Sequence, residues 1–282
     1  MELCNPSEIK ELLSRHGFRF SKSMGQNFLI DDSVPRRIVQ MSGIDKTCGV
    51  LEIGPGIGAL TVRLGENAGK VVSIELDKTL PPLLAESLAG IDNVEIITGD
   101  VMKTDVEALA REKLAGYTPC VCANLPYNIT TPVLTKLMES GIFETITVMI
   151  QKEVAERITA RPGTADYGSF TVYANYHAVP EILFEVPPSC FMPQPKVTSA
   201  VIKLTKREKP ECVTDEKLFF KVVRASFAQR RKTMVNGLSA AFPLSKEELC
   251  GILRECGLDE RVRGETLGIP EFAAVAEKIK GK

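Results

Sequence analysis

The chain has 282 residues, enough for one large core and a smaller appendage, which excludes a lone small module. Hydrophobic residues at 44% and charged residues at 25% match globular averages, and no apolar run reaches the ~18 residues that cross a bilayer. A formal net charge of −1 gives the whole molecule no electrostatic bias, yet no acid lies between Glu216 and Glu247, where Lys217, Lys221, Arg224, Arg230, Arg231, Lys232 and Lys246 all fall.

In chain order, the N-terminal stretch Met1 to Lys10 is charged and broken by Pro6. It lacks the apolar run and small-residue cleavage site of a signal peptide, so a cytoplasmic location is expected. The eight cysteines contain no Cys-x-x-Cys pair, and His16 and His177 are the only histidines, so reduced thiols are expected rather than a metal site. From Gly49 onward short apolar runs alternate with amphipathic ones, as strands alternate with crossover helices. Strands are predicted at Val50–Ile53, Val71–Glu75, Val94–Ile97, Cys120–Asn124 and Thr145–Ile150. Helices are predicted from the Gly54–Gly58 turn to Gly65, and over Lys78–Leu88, Thr131–Glu139 and Glu153–Thr159. The β-rich runs Glu181–Val186 and Val197–Leu204 read as a closing pair of strands around the Pro-rich stretch Pro187–Pro195. Beyond Lys206-Arg-Glu-Lys-Pro only helical periodicity remains, at Leu218–Phe227, Lys246–Cys256 and Pro270–Ile279. The expected architecture is α/β, a Rossmann-like domain over residues 1–206 with a mostly parallel sheet covered by helices on both faces. A small all-helical domain is expected over 207–282.

Glu52-Ile-Gly-Pro-Gly-Ile-Gly-Ala59 falls at the carboxyl end of the first strand, where glycines let backbone amides approach a nucleotide-type ligand. Glu75, twenty-one residues after Gly54, suits the two hydroxyls of a ribose. The pair alone is ambiguous, because Gly54-x-Gly56-x-x-Ala59 also satisfies the dinucleotide fingerprint and so admits an NAD-dependent dehydrogenase. Glycines serving only a tight turn are the structural alternative. Asp100, after the third strand, can accept a hydrogen bond from an adenine amino group or can cap a helix. Asn124-Leu-Pro-Tyr127 then brings an amide, a proline and an aromatic ring to the mouth of the sheet.

With these residues in view, the sequence resembles the S-adenosylmethionine-dependent methyltransferases that modify exocyclic amines of nucleobases. Four further motifs are similar to those of the KsgA-type ribosomal RNA adenine dimethyltransferases: Ser23-Met-Gly-Gln-Asn-Phe-Leu29, Val186-Pro-Pro-Ser-Cys-Phe-Met-Pro-Gln-Pro-Lys-Val197, Phe227-Ala-Gln-Arg-Arg-Lys-Thr-Met234 and Arg263-Gly-Glu-Thr-Leu. The resemblance runs from about Lys22 to the C-terminus. It implies S-adenosyl-L-methionine as cofactor and two adjacent adenines near the 3′ end of small-subunit (16S) rRNA as target, each dimethylated at N6, inside an immature subunit. A second role as a checkpoint in subunit assembly is also implied. Apart from the resemblance, a monomer is expected, with no membrane or DNA partner.

By the same resemblance the cofactor contacts are Asn27, Leu29, Gly54, Glu75, Asp100 and Asn124, with Gln26 equally polar beside Asn27. Asn124 and the Leu125 carbonyl accept the hydrogens of the target amine, Pro126 fixes the turn, Tyr127 gives one face for the flipped base, and Phe191 closes the other. An ordinary loop hydrophobe is the alternative for Phe191. Arg224, Arg230, Arg231 and Lys232 are expected to meet RNA phosphates, against a merely solvated helix face. A large-subunit methyltransferase of the antibiotic-resistance type shares the Gln-Asn-Phe-Leu and Asn-x-Pro-Tyr elements. Against it stand Leu125 and the Arg-Gly-Glu-Thr-Leu tail.

Overall fold

The structure, a computed structural model, describes residues 3–18, 26–229 and 231–282. The chain divides into two compact units, Met1–Ala155 with Val179–Lys206, and Glu156–Ala178 with Arg207–Lys282.

The first unit is built on β2 (Cys48–Ile53), β3 (Lys70–Glu75), β4 (Val94–Thr98), β5 (Thr118–Asn124), β6 (Thr145–Gln151), β7 (Ala178–Val186) and β9 (Ser199–Lys206), ordered β4-β3-β2-β5-β6-β9-β7. β2 to β6 run parallel where they pair, and β9 is antiparallel to β6, with Gln151 opposite Ser199 and Thr145 opposite Thr205. Strands covered on both faces must be apolar on both, so β2 is buried along its whole length. Val50, Val71, Cys120, Met149 and Val201 join one core with α2 (Ser33–Ser42), α3 (Ala59–Asn67) and α4 (Pro81–Ser87). The alternate residues Leu51, Val72, Val121 and Val148 are equally buried on the opposite face, as are Val106 and Ala110 of α5 (Val106–Lys113) and Val133, Leu134 and Leu137 of α6 (Thr130–Ser140). The strand order reverses between β2 and β5, and open α/β sheets bind ligands outside the carboxyl ends at that point.

Two expectations for this unit change. Pro6 does not break the N-terminal segment but opens α1 (Pro6–Arg15). Proline is tolerated where a helix's first N–H is unpaired anyway, and Asn5 caps the end by accepting from the Ser7 N–H at 2.9 Å. The Pro-rich stretch is also more than a rigid loop between two strands. Its β8 (Phe191–Met192) pairs antiparallel with β1 (Phe28–Leu29) in a separate two-stranded sheet, Leu29 opposite Phe191, and the Ile30 N–H donates to the Cys190 carbonyl at 2.8 Å.

The second unit begins earlier than residue 207. Glu156–Ala178 belongs to it, carrying the end of α7 (Lys152–Thr159) and all of α8 (Ser169–His177). Tyr173 and Tyr176 of α8 pack on Phe219 and Phe220 of α9 (Glu216–Phe227), with ring centroids 5.0–5.6 Å apart. Such aromatic pairs add to the area they bury, and they join segments some forty residues apart. α10 (Met234–Ala241) crosses α9 at Gly237, where a Cβ would lie 2.1 Å from the Ala225 carbonyl oxygen. α11 (Lys246–Glu255) starts with a capping box between Ser245 and Glu248, and α12 (Ile269–Lys280) completes the core with Phe272, Val275 and Ala276. No helix among the described residues is long and apolar enough to cross a membrane.

Candidate active site

At the end of β2 the chain turns through Gly54, Gly56 and Gly58 with φ of +68°, +60° and +95°, a region nearly closed to residues with a Cβ. At Gly56 approach also matters, since a Cβ there would sit 3.3 Å from the Phe28 ring. α3 starts directly after the turn with no side chain capping it, so amides of its first turn remain for a ligand.

Gly54, Pro55, Gly56 and Ile57 of this turn line one face of an open pocket. Gln26, Asn27 and Leu29 line it from the N-terminal motif, Glu75 from the end of β3, and Asn124, Leu125, Pro126 and Tyr127 from the end of β5. Three motifs separated by tens of residues therefore meet at one place. Ser23, Met24 and Gly25 lie outside the described residues.

Glu75 is only 5% exposed, and burial lifts its carboxyl above the usual range while the N–H groups of Asp77, at 2.7 Å, and Gly56 hold it down. Asp77 also accepts from the Gln26 side-chain amide at 2.7 Å, which ties the N-terminal motif to the end of β3. The Asn124 side chain, by contrast, has no hydrogen-bond partner among the described residues and keeps its amide for a ligand. Its backbone is held in register with Met149, whose carbonyl accepts from the Leu125 N–H at 3.1 Å. Tyr127 opens a short 3-10 turn, and its hydroxyl shares a 2.6 Å hydrogen bond with Ser199 Oγ.

Three sequence-derived residues stand differently from expectation. Phe191 does not offer a face to the pocket: at 1% exposure its ring is packed in the core of the first unit, because pairing of β8 with β1 turns this part of the Pro-rich stretch inward. Asp100 does not line the pocket, and one carboxylate oxygen closes its own turn by accepting from the Met102 N–H at 2.9 Å. Arg230 lies outside the described residues.

Glu52 is a group whose part sequence reasoning did not foresee, although a carboxylate inside an otherwise apolar strand was a visible signal. It is 1% exposed, accepts from the Ser73 hydroxyl at 2.6 Å, and lies under the glycine turn. Burial drives its carboxyl from 4.5 up to about 7, aided by the charge of Glu75 and opposed by the hydrogen bond from Ser73. Since the folded protein holds this proton more tightly than the unfolded chain, Glu52's contribution to stability is complete below about pH 4.5 and is lost as pH rises through about 7. Glu52→Gln should therefore gain in melting temperature relative to the parent between pH 5 and 8. Parallel melting curves across that range would contradict the assignment.

The sequence profile of the family described as ribosomal RNA adenine dimethylase matches residues 17–275. The chain belongs to the ribosomal RNA adenine dimethylase family. It is thereby an enzyme, an S-adenosylmethionine-dependent methyltransferase of ribosomal RNA, and the dehydrogenase alternative falls away. Proteins named ribosomal RNA small subunit methyltransferase A from Geobacillus thermodenitrificans and Bacillus mycoides are each 49% identical to this dimethylase, covering 99% of its length and 97% of theirs. Among solved structures, a dimethyladenosine transferase from Plasmodium falciparum superposes with a TM-score of 0.74 at 26% identity, over 88% of this chain and 95% of that one. The 23S rRNA methyltransferase ErmE gives 0.67 at 25%, over 90% and 99%.

The pocket of the dimethylase fits its cofactor by donor chemistry: a buried carboxylate at the end of β3, turn amides at the end of β2, an unpartnered amide at Asn124 and apolar walls from Leu29, Ile57 and Leu80.

In the dimethylase's second unit, Arg224 on α9 and Arg231 and Lys232 after it are exposed and form no ion pair among the described residues. Nearby, Lys221 lies over the Phe242 ring at 4.3 Å and Lys246 donates to Asn236 at 2.8 Å.

Proposed function

We propose that this dimethylase transfers methyl groups to N6 of two adjacent adenines near the 3′ end of small-subunit rRNA, giving N6,N6-dimethyladenine at each. It acts as a monomer on an immature subunit in the cytoplasm, where its binding also serves as an assembly checkpoint. The observation that carries this reading is the Asn124-Leu-Pro-Tyr127 turn, which opens onto the same pocket as the glycine turn and Glu75. The small subunit is favoured over the large by the 49% identity to small-subunit methyltransferases over nearly the whole chain, against 25% to ErmE.

S-adenosylmethionine, when bound, supplies an electrophilic methyl group. We assign its ribose hydroxyls to Glu75, its approach to the turn amides of Gly54 and Gly56, and its remaining polar contacts to Asn27, Leu29 and Asn124, with Asp100 reaching the adenine by its second carboxylate oxygen. An adenine amine is a poor nucleophile because its lone pair is delocalised into the ring. Acceptance of its two hydrogens by the Asn124 side-chain oxygen and the Leu125 carbonyl favours a tetrahedral nitrogen with a directed lone pair. No strong base is needed, since alignment and fixed dipoles carry the step and water takes the released proton. Pro126 fixes the turn, and Tyr127 gives the extruded base one flat face, worth about 1–3 kcal/mol per stacked base. Phe191 reaches the other face only if β8 leaves its seat against β1. Arg224, Arg230, Arg231 and Lys232 contact phosphates.

Incubation with immature small subunits and labelled cofactor, followed by mapping of methylated positions, tests the reading. Label on two neighbouring adenines of the small subunit supports it, and label on large-subunit rRNA alone overturns it. At the cofactor side, Glu75→Ala should weaken S-adenosylmethionine binding about 10–100-fold in calorimetry while subunit binding changes little, because charged hydrogen bonds to two hydroxyls are lost. Unchanged cofactor affinity would remove Glu75 from the site.

A further inference from the structure

Tyr127 is held at both ends. Its backbone sits in the 3-10 turn after Pro126, and its hydroxyl reaches Ser199 Oγ at 2.6 Å, across 72 positions of sequence. Ser199 is the first residue of β9 and is wholly buried. It is fixed by its register with Gln151 and by the preceding bond from the Lys152 N–H to the Thr198 carbonyl at 3.0 Å. The residues that follow, Ala200, Val201 and Ile202, are buried and apolar. A buried hydroxyl among them is costly unless bonded, and among the described residues Tyr127 is the partner of its side chain. A phenol keeps its proton near neutrality at its ordinary pKa, and burial raises that of Tyr127 further. A tyrosine ring turns about two torsions only, and a bond at its far oxygen removes the freedom that the backbone leaves.

We propose that Ser199 is a positioning residue for methyl transfer, holding the Tyr127 hydroxyl from the start of β9 and so setting the plane and depth of the ring on which the target adenine lies, without touching the substrate itself. The proposal rests on Tyr127 being a face for the base, and it explains why the segment leaving the Pro-rich stretch ends in a hydroxyl beside the Asn124 turn.

Ser199→Ala and Tyr127→Phe each remove one hydroxyl of the pair, and the double variant removes both. Single-turnover rates on immature small subunits, KM for the subunit, cofactor affinity by calorimetry and melting temperature are measured for all three. Each single variant should slow transfer about 3–10-fold with KM and cofactor affinity near the parent values, and the double variant should be no slower than the slower single, since one bond is lost in every case. A parental rate in Ser199→Ala, losses that multiply in the double variant, or cofactor affinity falling in step with the rate would each overturn the proposal. Tyr127→Ala separates the two layers. If it transfers methyl at the parental rate, the stacking reading fails and the proposal with it. If it is slow while Ser199→Ala and Tyr127→Phe are unimpaired, stacking stands and positioning by Ser199 falls.

Discussion

Asn124→Ala is expected to lower turnover about 100–1,000-fold, the loss seen when one preorganised catalytic hydrogen bond is deleted. The expectation follows from what surrounds the side chain. β5 ends at Asn124 in fixed register with β6, the Leu125 N–H is already committed to Met149, and the Asn124 amide is left without a partner among the described residues. A group so rigidly presented loses little freedom when it accepts an amine hydrogen, and alanine offers neither acceptor nor replacement water in that orientation. Cofactor affinity should fall by much less than the rate, because Glu75 and the glycine turn stay intact. Calorimetry with S-adenosylmethionine and single-turnover methylation separate the two quantities. Near-parental dimethylation by Asn124→Ala would sink the proposed acceptor role, and a cofactor affinity reduced as much as the rate would make Asn124 a binding group alone.

Why the sheet could be read from the sequence while other features could not is a matter of range. Parallel strands buried on both faces are predominantly apolar runs, so Val50–Ile53, Val71–Glu75 and Thr145–Ile150 announce themselves locally despite the few polar residues they carry. The motifs at their ends were equally legible, because turn glycines and an Asn-Leu-Pro-Tyr segment carry local geometry in residue type. Where an outcome depends on a distant partner, local reading failed. α8 looks like a connection until Tyr173 and Tyr176 meet Phe219 and Phe220. α10 is absent from the helices that periodicity predicts, and its Gly237 has a reason only in the fold, where Ala225 comes too close for any Cβ. Phe191 had the residue type of a stacking face, but its pairing with Leu29 turns the ring into the core. Gln26 was set aside in favour of Asn27, and its bond to Asp77 appears only once β3 is folded beside it. Ser199 carried no signal at all, since a single serine at a strand start is among the commonest things in a sequence.

Changing Arg224, Arg231 and Lys232 together to Ala should weaken binding to small subunits about 100–500-fold at 0.1 M salt. The figure follows from counterion release: each phosphate contact adds about 0.7–0.9 to the slope of log affinity against log salt, so three lost contacts flatten it by about 2.1–2.7 and the two lines converge near 1 M. Alanine is a mild replacement here, as all three side chains are exposed and none pairs with an acid among the described residues. Melting temperature should therefore change little, and the aromatic core of α8 and α9 should be untouched. Cofactor affinity should not move, because the pocket that Glu75 and Asn124 line is built wholly from residues 26–127. Binding measured across a salt series separates the two readings of this basic stretch. A flatter line meeting the parent at high salt identifies phosphate contacts, because only displaced counterions make affinity depend on salt in this way. Two parallel lines would mean that the affinity lost is not ionic, and superimposed lines would return α9 and the segment after it to the role of a solvated helix face, leaving RNA docking to some other surface of the enzyme.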